Sequence, residues 1–178
     1  MFAKIRVNSR QNMIVCREFA RINANLNITI MTLDSLLRLE YLCANIPALL
    51  GSISEDEFTL KPSPDKWSKK EILGHLIDSA TNNHHRFIRS QFVDRPRIDY
   101  HADSWVIANH YQHLPIRHLI FFWQLYNLHI SKVIAQIPAD IMQRECDSGD
   151  PTLHTLEWLF DDYVVHLEHH LHQLVEYS

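Results

Sequence analysis

The sequence predicts an all-α fold: a four-helix bundle with a long crossover connection. Three observations carry that expectation. Apolar residues recur at three- and four-residue spacing through four separate stretches. Only three glycines occur in 178 residues, too few for the unusual backbone angles that sheet-rich folds and phosphate-cradling loops need. Polar, proline-bearing segments separate the apolar stretches, and the connections after the second and third are long enough to cross the end of a bundle.

The first thirty residues stand apart, with Lys4, Arg6, Arg10, Arg17 and Arg21 against Glu18 alone. An Arg-rich, acid-poor start fits an organellar transit peptide or an upstream extension before a start at Met31. The extension is the preferred reading. Residues 1–30 are therefore expected to lie outside the core, and residues 31–178 to form the bundle domain.

From Met31 the elements follow in order. Leu36, Leu37, Leu39, Leu42, Ile46, Leu49 and Leu50 mark a first helix over 33–52. Ser52 to Trp67, with Pro62 and Pro64, reads as a loop. Ser68-Lys-Lys-Glu71 has the pattern of a capping box, in which each side chain satisfies a free amide of the other residue. It starts a second helix over 69–92. Pro96 stops any continuation, and a short helix is expected near Ser104–His110 in the connection. Pro115 suits the first turn of a third helix, which runs through Phe121, Phe122, Leu125, Ile130 and Val133 and ends before Pro138. Residues 138–154, with Gly149 and Pro151, form a second long connection. Thr155 is the expected N-cap of a fourth helix over 156–176.

Composition narrows the function. A net charge of −4 lacks the basic footprint of a nucleic-acid binder. No apolar run reaches the roughly 20 residues that span a bilayer. Cys16, Cys43 and Cys146 are odd in number and widely separated, so neither a disulfide framework nor a zinc ribbon is expected, and a reducing cytoplasm is the simplest location. Thirteen histidines are the oddity, because histidine is the commonest metal ligand.

Those histidines are not scattered evenly. At about 100° per residue, Leu159, Tyr163, His166, His170 and Leu174 fall in one narrow arc of the fourth helix. His166 and His170 thus face the bundle at i,i+4 spacing, close enough to grip one ion. His169 lies on the flank, and His172 points away. The second helix carries a polar stripe beside its apolar arc: His75, Ser79, Asn82 and Arg86. Together the two helices read as the wall of a polar cavity. Glutamates in paired Glu-x-x-His motifs are missing, which excludes a ferritin-like di-iron centre.

Three motifs resemble a known family. Asp65-Lys-Trp67-Ser68-Lys-Lys-Glu71-Ile-Leu-Gly-His75-Leu76-Ile-Asp78-Ser79 is similar to the second-helix signature of the DinB/YfiT-like superfamily. Arg86-Phe87, then Arg97-Ile-Asp99-Tyr100 and Trp105, follow in the order of its YfiT branch. Thr155-Leu156-Glu157 and His166-Leu-Glu-His169-His170-Leu-His172-Gln173 match the last-helix motif. The resemblance covers most of residues 31–175 and implies a bundle with a crossover, holding one divalent ion of the zinc or nickel type on His75, His166 and His170.

It also implies a metal-dependent hydrolase or a low-molecular-weight-thiol S-transferase acting on a small-molecule substrate. Three neutral imidazoles without a closing cysteine suit an open catalytic site. The nucleophile would be water or a thiol on the ion, with Asp78, Ser79, Asn82, Arg86 and Tyr163 as candidates around it. Asp78 is a candidate to orient a ligand, and Tyr163 either donates to a bound anion or packs in the core. Trp67 is expected to pack. The alternative is a bundle that binds or senses metal without turnover; a haem bundle with two axial histidines is the weaker third reading. Trp158 and Val165, on the polar side of the fourth helix, together with the family's habit of pairing, favour a homodimer.

Overall fold

The computed structural model describes residues 29–178; the extension expected upstream lies outside them as far as residue 28. Helix α1 spans Ile30–Leu50, and the Thr29 hydroxyl caps it by accepting from the Thr32 amide at 3.2 Å. It begins three residues before the apolar pattern suggests, because a threonine N-cap sets the start. Leu36, Leu39, Leu42, Ile46 and Leu50 face the core, while Leu37 and Leu49 are exposed.

The expected loop after α1 contains a helix of its own, α2, Glu55–Thr59. Ser54 caps it, Glu55, Asp56 and Glu57 fill the first turn where the helix dipole favours anions, and Phe58 anchors it in the core. Helix α3, Lys69–Arg89, opens with the predicted capping box. The Glu71 amide donates to Ser68 Oγ at 3.2 Å, and the Ser68 amide donates to Glu71 Oε2 at 2.8 Å. Helix α4, Ala102–Ala108, is the short helix expected in the next connection, followed by a 3-10 turn at Tyr111–His113.

Helix α5 covers Ile116–Ile134 with Pro115 as its N-cap. Only some of the apolar residues that mark it in the sequence are buried. Ile116, Leu119, Ile120, Trp123, Ile130 and Ile134 point inward, whereas Phe121, Phe122 and Leu125 are exposed. The helix has apolar residues on both sides, so periodicity alone did not decide which side meets the core. A short α6, Ala139–Met142, and a two-residue antiparallel pair follow: β1, Glu145–Cys146, and β2, His154–Thr155. Two residues are too few for strand alternation to register in a sequence. Thr155 then caps α7, Leu156–Leu171, through the Trp158 amide. The helix ends five residues short of the expected 176, at the cap His172.

The four long helices form an all-α bundle. Helices α1 and α3 each pack against both α5 and α7, so the order around the core is α1, α5, α3, α7. Successive helices α1 and α3 are diagonal, as are α5 and α7. Both links therefore cross the bundle end. Helix α3 also takes α2, α4 and the 3-10 turn against its surface, which is why every residue from Leu73 to Ala80 is buried. No described helix is long and apolar enough to cross a membrane.

Candidate metal centre

Burial of α3 on all sides places His75, two turns inside its capping box, at 4% exposure. Helix α7 packs against that part of α3, and its i,i+4 histidines come from the face expected to be inward. His166 and His170 are half-buried beside His75. The three rings meet edge-on, with centroids 5.1 Å apart for His75 and His166, 4.9 Å for His75 and His170, and 4.7 Å for His166 and His170. One nitrogen from each lies within 4.8 Å of the others, and no cysteine or carboxylate among the described residues joins the group.

The donor set fits a divalent ion. His75 Nε2 and His166 Nε2 are 3.2 Å apart. Two nitrogens at the usual zinc distance and a tetrahedral angle stand about 3.3 Å apart. Burial, followed by the neighbouring imidazoles, pushes His75 down to about 3 and His166 down to about 4. His170 is lowered as well, by burial and then by His169. All three are therefore neutral near pH 7 and present lone pairs. The Nδ1 atoms of His75 and His170 are buried without a hydrogen-bond partner among the described residues. Buried polar atoms are nearly always satisfied, so the cluster is not self-sufficient in hydrogen bonds.

His169 and His172 lie outside the group. His169 is exposed and pairs with Gln173 at 3.1 Å; its ring is 5.1 Å from that of His170. His172 is exposed and stacks on Tyr177. On the helical arc His170 lies inward and His169 on the flank, and their burial follows that order.

Beyond His75, the polar stripe on α3 has a different part from the one expected. Arg86 is buried and donates to the carbonyls of Ile98 and Ser148 and to Asn83 Oδ1. It ties both long connections to α3. Asn82 donates to the Asp78 carbonyl, and Ser79 accepts from Asn83. These bonds are structural and none reaches a clustered histidine. Asp78 is engaged by Tyr111 at 2.6 Å and Asn109 at 2.9 Å rather than by an imidazole. Tyr163 is 2% exposed and donates to Asn127, so it packs in the core.

One neighbour carries more weight than the sequence suggested. Trp67, just before the Ser68 cap, lays its ring 4.9 Å from that of His75. It also lines a cleft of about 760 Å³ with Leu60, Pro62, Ile72, Asp103 and Gln173. The cleft thus borders the histidine group through Trp67 on one side and Gln173 on the other. A tryptophan at the residue before an N-cap reads as a packing contact, and nothing in the sequence announces its second face.

The DinB superfamily matches residues 38–174, which include all three motifs from Trp67 to Gln173. Among solved structures, YfiT from Bacillus subtilis superimposes with a TM-score of 0.73 at 16% identity, covering 98% of this chain and 89% of that one. That protein is described as a probable metal-dependent hydrolase with an unusual four-helix bundle topology. No curated protein matches. By its matched residues and its bundle, the chain belongs to the DinB superfamily.

Proposed function

We propose that His75, His166 and His170 hold one divalent ion, zinc or nickel, and that the chain is a metal-dependent hydrolase or a transferase of a low-molecular-weight thiol to a small electrophile. The observation that carries this reading is the convergence of three neutral imidazoles from two helices at metal-ligand spacing, with no fourth protein donor among the described residues. When bound, such an ion supplies Lewis acidity and lowers the pKa of a coordinated water or thiol. A cage of four protein ligands would leave no place for a reactant.

The protein's own residues account for the rest. Burial of His75 and the covering Trp67 ring exclude water from the inner side of the group. His166 and His170 are half-exposed, so reactants approach from their side. Leu60, Pro62, Trp67 and Ile72 give the adjacent cleft an apolar wall for an organic body, and apolar walls with a few polar groups are usual for small-molecule sites. A homodimer through Trp158 and Val165, exposed at 45% and 65%, belongs to the same proposal.

The test is a panel of activated esters and of thiol–electrophile pairs, run on protein loaded with zinc or nickel. Metal-dependent acceleration that disappears in His170→Ala supports the enzyme. Tight metal binding with no acceleration across the panel supports the metal-storing or sensing bundle instead.

A further inference from the structure

A second cavity, of about 280 Å³, opens between α3, α4 and α5, and no clustered histidine lines it. Its walls include Trp105, Tyr111, His118 and Phe122, with Asp78 and Asn109. Asp78 is only 1% exposed. Its Oδ1 accepts from the Tyr111 hydroxyl and the Asn109 amide, and these two donors fix how the carboxylate is turned. Its Oδ2 is shielded from solvent and has no hydrogen-bond partner among the described residues. Among the described residues no lysine or arginine pairs with it.

The arrangement is built into α3. An ideal Cβ on Gly74 would stand 2.2 Å from the Tyr111 ring, so only glycine lets that tyrosine lie on the helix and reach Asp78 one turn later. Burial raises Asp78 to about 6, against the lowering effect of Tyr111, which leaves it ionised at neutral pH. A buried carboxylate without a cation is rare, because buried charges are normally paired.

We propose that this cavity binds a small primary ammonium, whose N–H group donates to Asp78 Oδ2 and whose carbon body lies against Trp105 and Phe122. Ring faces attract cations as well as apolar groups. The volume lies just below the roughly 300–1,000 Å³ of ligand pockets, which limits the ligand to a small molecule. The site is separate from the histidine group, and its failure leaves the metal reading untouched.

The experiment is calorimetric titration of the full chain with benzylamine and n-butylamine, against benzyl alcohol and benzoate. The amines should saturate one site with a Kd of about 1 mM or tighter. Benzyl alcohol and benzoate should bind at least about tenfold more weakly, and Asp78→Asn should weaken the amines by about tenfold or more. That variant keeps the oxygen that Tyr111 and Asn109 use, so it should fold. Trp105→Ala, on the α4 wall, should also weaken benzylamine, and it serves if Asp78→Asn does not fold. Because amines also ligate metals, His170→Ala should leave the affinity unchanged. Equal binding of benzylamine and benzyl alcohol, full affinity in Asp78→Asn, loss of binding in His170→Ala, or no saturation by either amine would each overturn the proposal.

Discussion

His75 Nε2 and His166 Nε2 stand 3.2 Å apart, although 91 residues separate them in the chain. The contact exists only because α3 and α7 are neighbours around the core, so the unfolded chain has no such site. Any ion held there binds the folded state alone and must stabilise it.

Acid should destabilise the metal-free protein through the same residues. His75 and His166 have folded-state values of about 3 and about 4, against 6.5 for an ordinary histidine. The values are depressed, so the unfolded chain binds protons first as pH falls below 6.5. Stability is full above that pH and is lost progressively down to about 4 and then 3. Urea unfolding across this window should show the loss, and His75→Gln should flatten it. A pH-independent midpoint from 6.5 to 4 would contradict it.

Gly74→Ala should be costly out of proportion to one methyl group. The added carbon would meet the Tyr111 ring at 2.2 Å and push the hydroxyl away from Asp78. Overpacking of this kind costs about 1–3 kcal/mol, and the lost hydrogen bond adds to it. Chemical denaturation measures the sum. A stability equal to or above the parent protein would mean that Tyr111 has room to move.

Arg86→Met should destabilise by about 2–3 kcal/mol, since it leaves the buried carbonyls of Ile98 and Ser148 without their donor. Metal content should be unchanged, because Arg86 touches no histidine of the group. Loss of metal with unchanged stability would return Arg86 to the site.

Much of this architecture was readable in the residues. The Ser68–Glu71 box, the Thr155 cap and the arc through His166 and His170 are local patterns with local causes, and the structure repeats them. Where two faces of a helix compete, the sequence does not choose between them. On α5 the exposed Phe121, Phe122 and Leu125 are as apolar as the buried set, and only tertiary packing ranks them. The stripe Ser79, Asn82, Arg86 reads as a cavity wall because the partners of Arg86, the carbonyls of Ile98 and Ser148, lie in connections without periodicity. Trp67 beside His75, and Tyr111 on Gly74, are contacts between elements and leave no trace in spacing.

Truncation tests where the bundle begins. Deleting residues 1–28 should leave cooperative unfolding and metal content intact, because α1 and every motif follow. Deleting 1–30 also removes Thr29, which caps α1 and bonds Glu157 on α7, and should cost about 1 kcal/mol. Equal stability of the two truncations would show that the cap contributes nothing; collapse of the shorter deletion would place part of the extension in the fold.

The most direct measurement is the metal-to-protein ratio by elemental analysis after zinc or nickel loading and exhaustive dialysis, for the parent protein and single alanine variants. One ion per chain is expected in the parent and in His169→Ala and His172→Ala, and little or none in His75→Ala, His166→Ala and His170→Ala, with the melting temperature tracking occupancy. Retention of a full ion after removal of any of those three histidines, or no ion in the parent protein, would contradict the account.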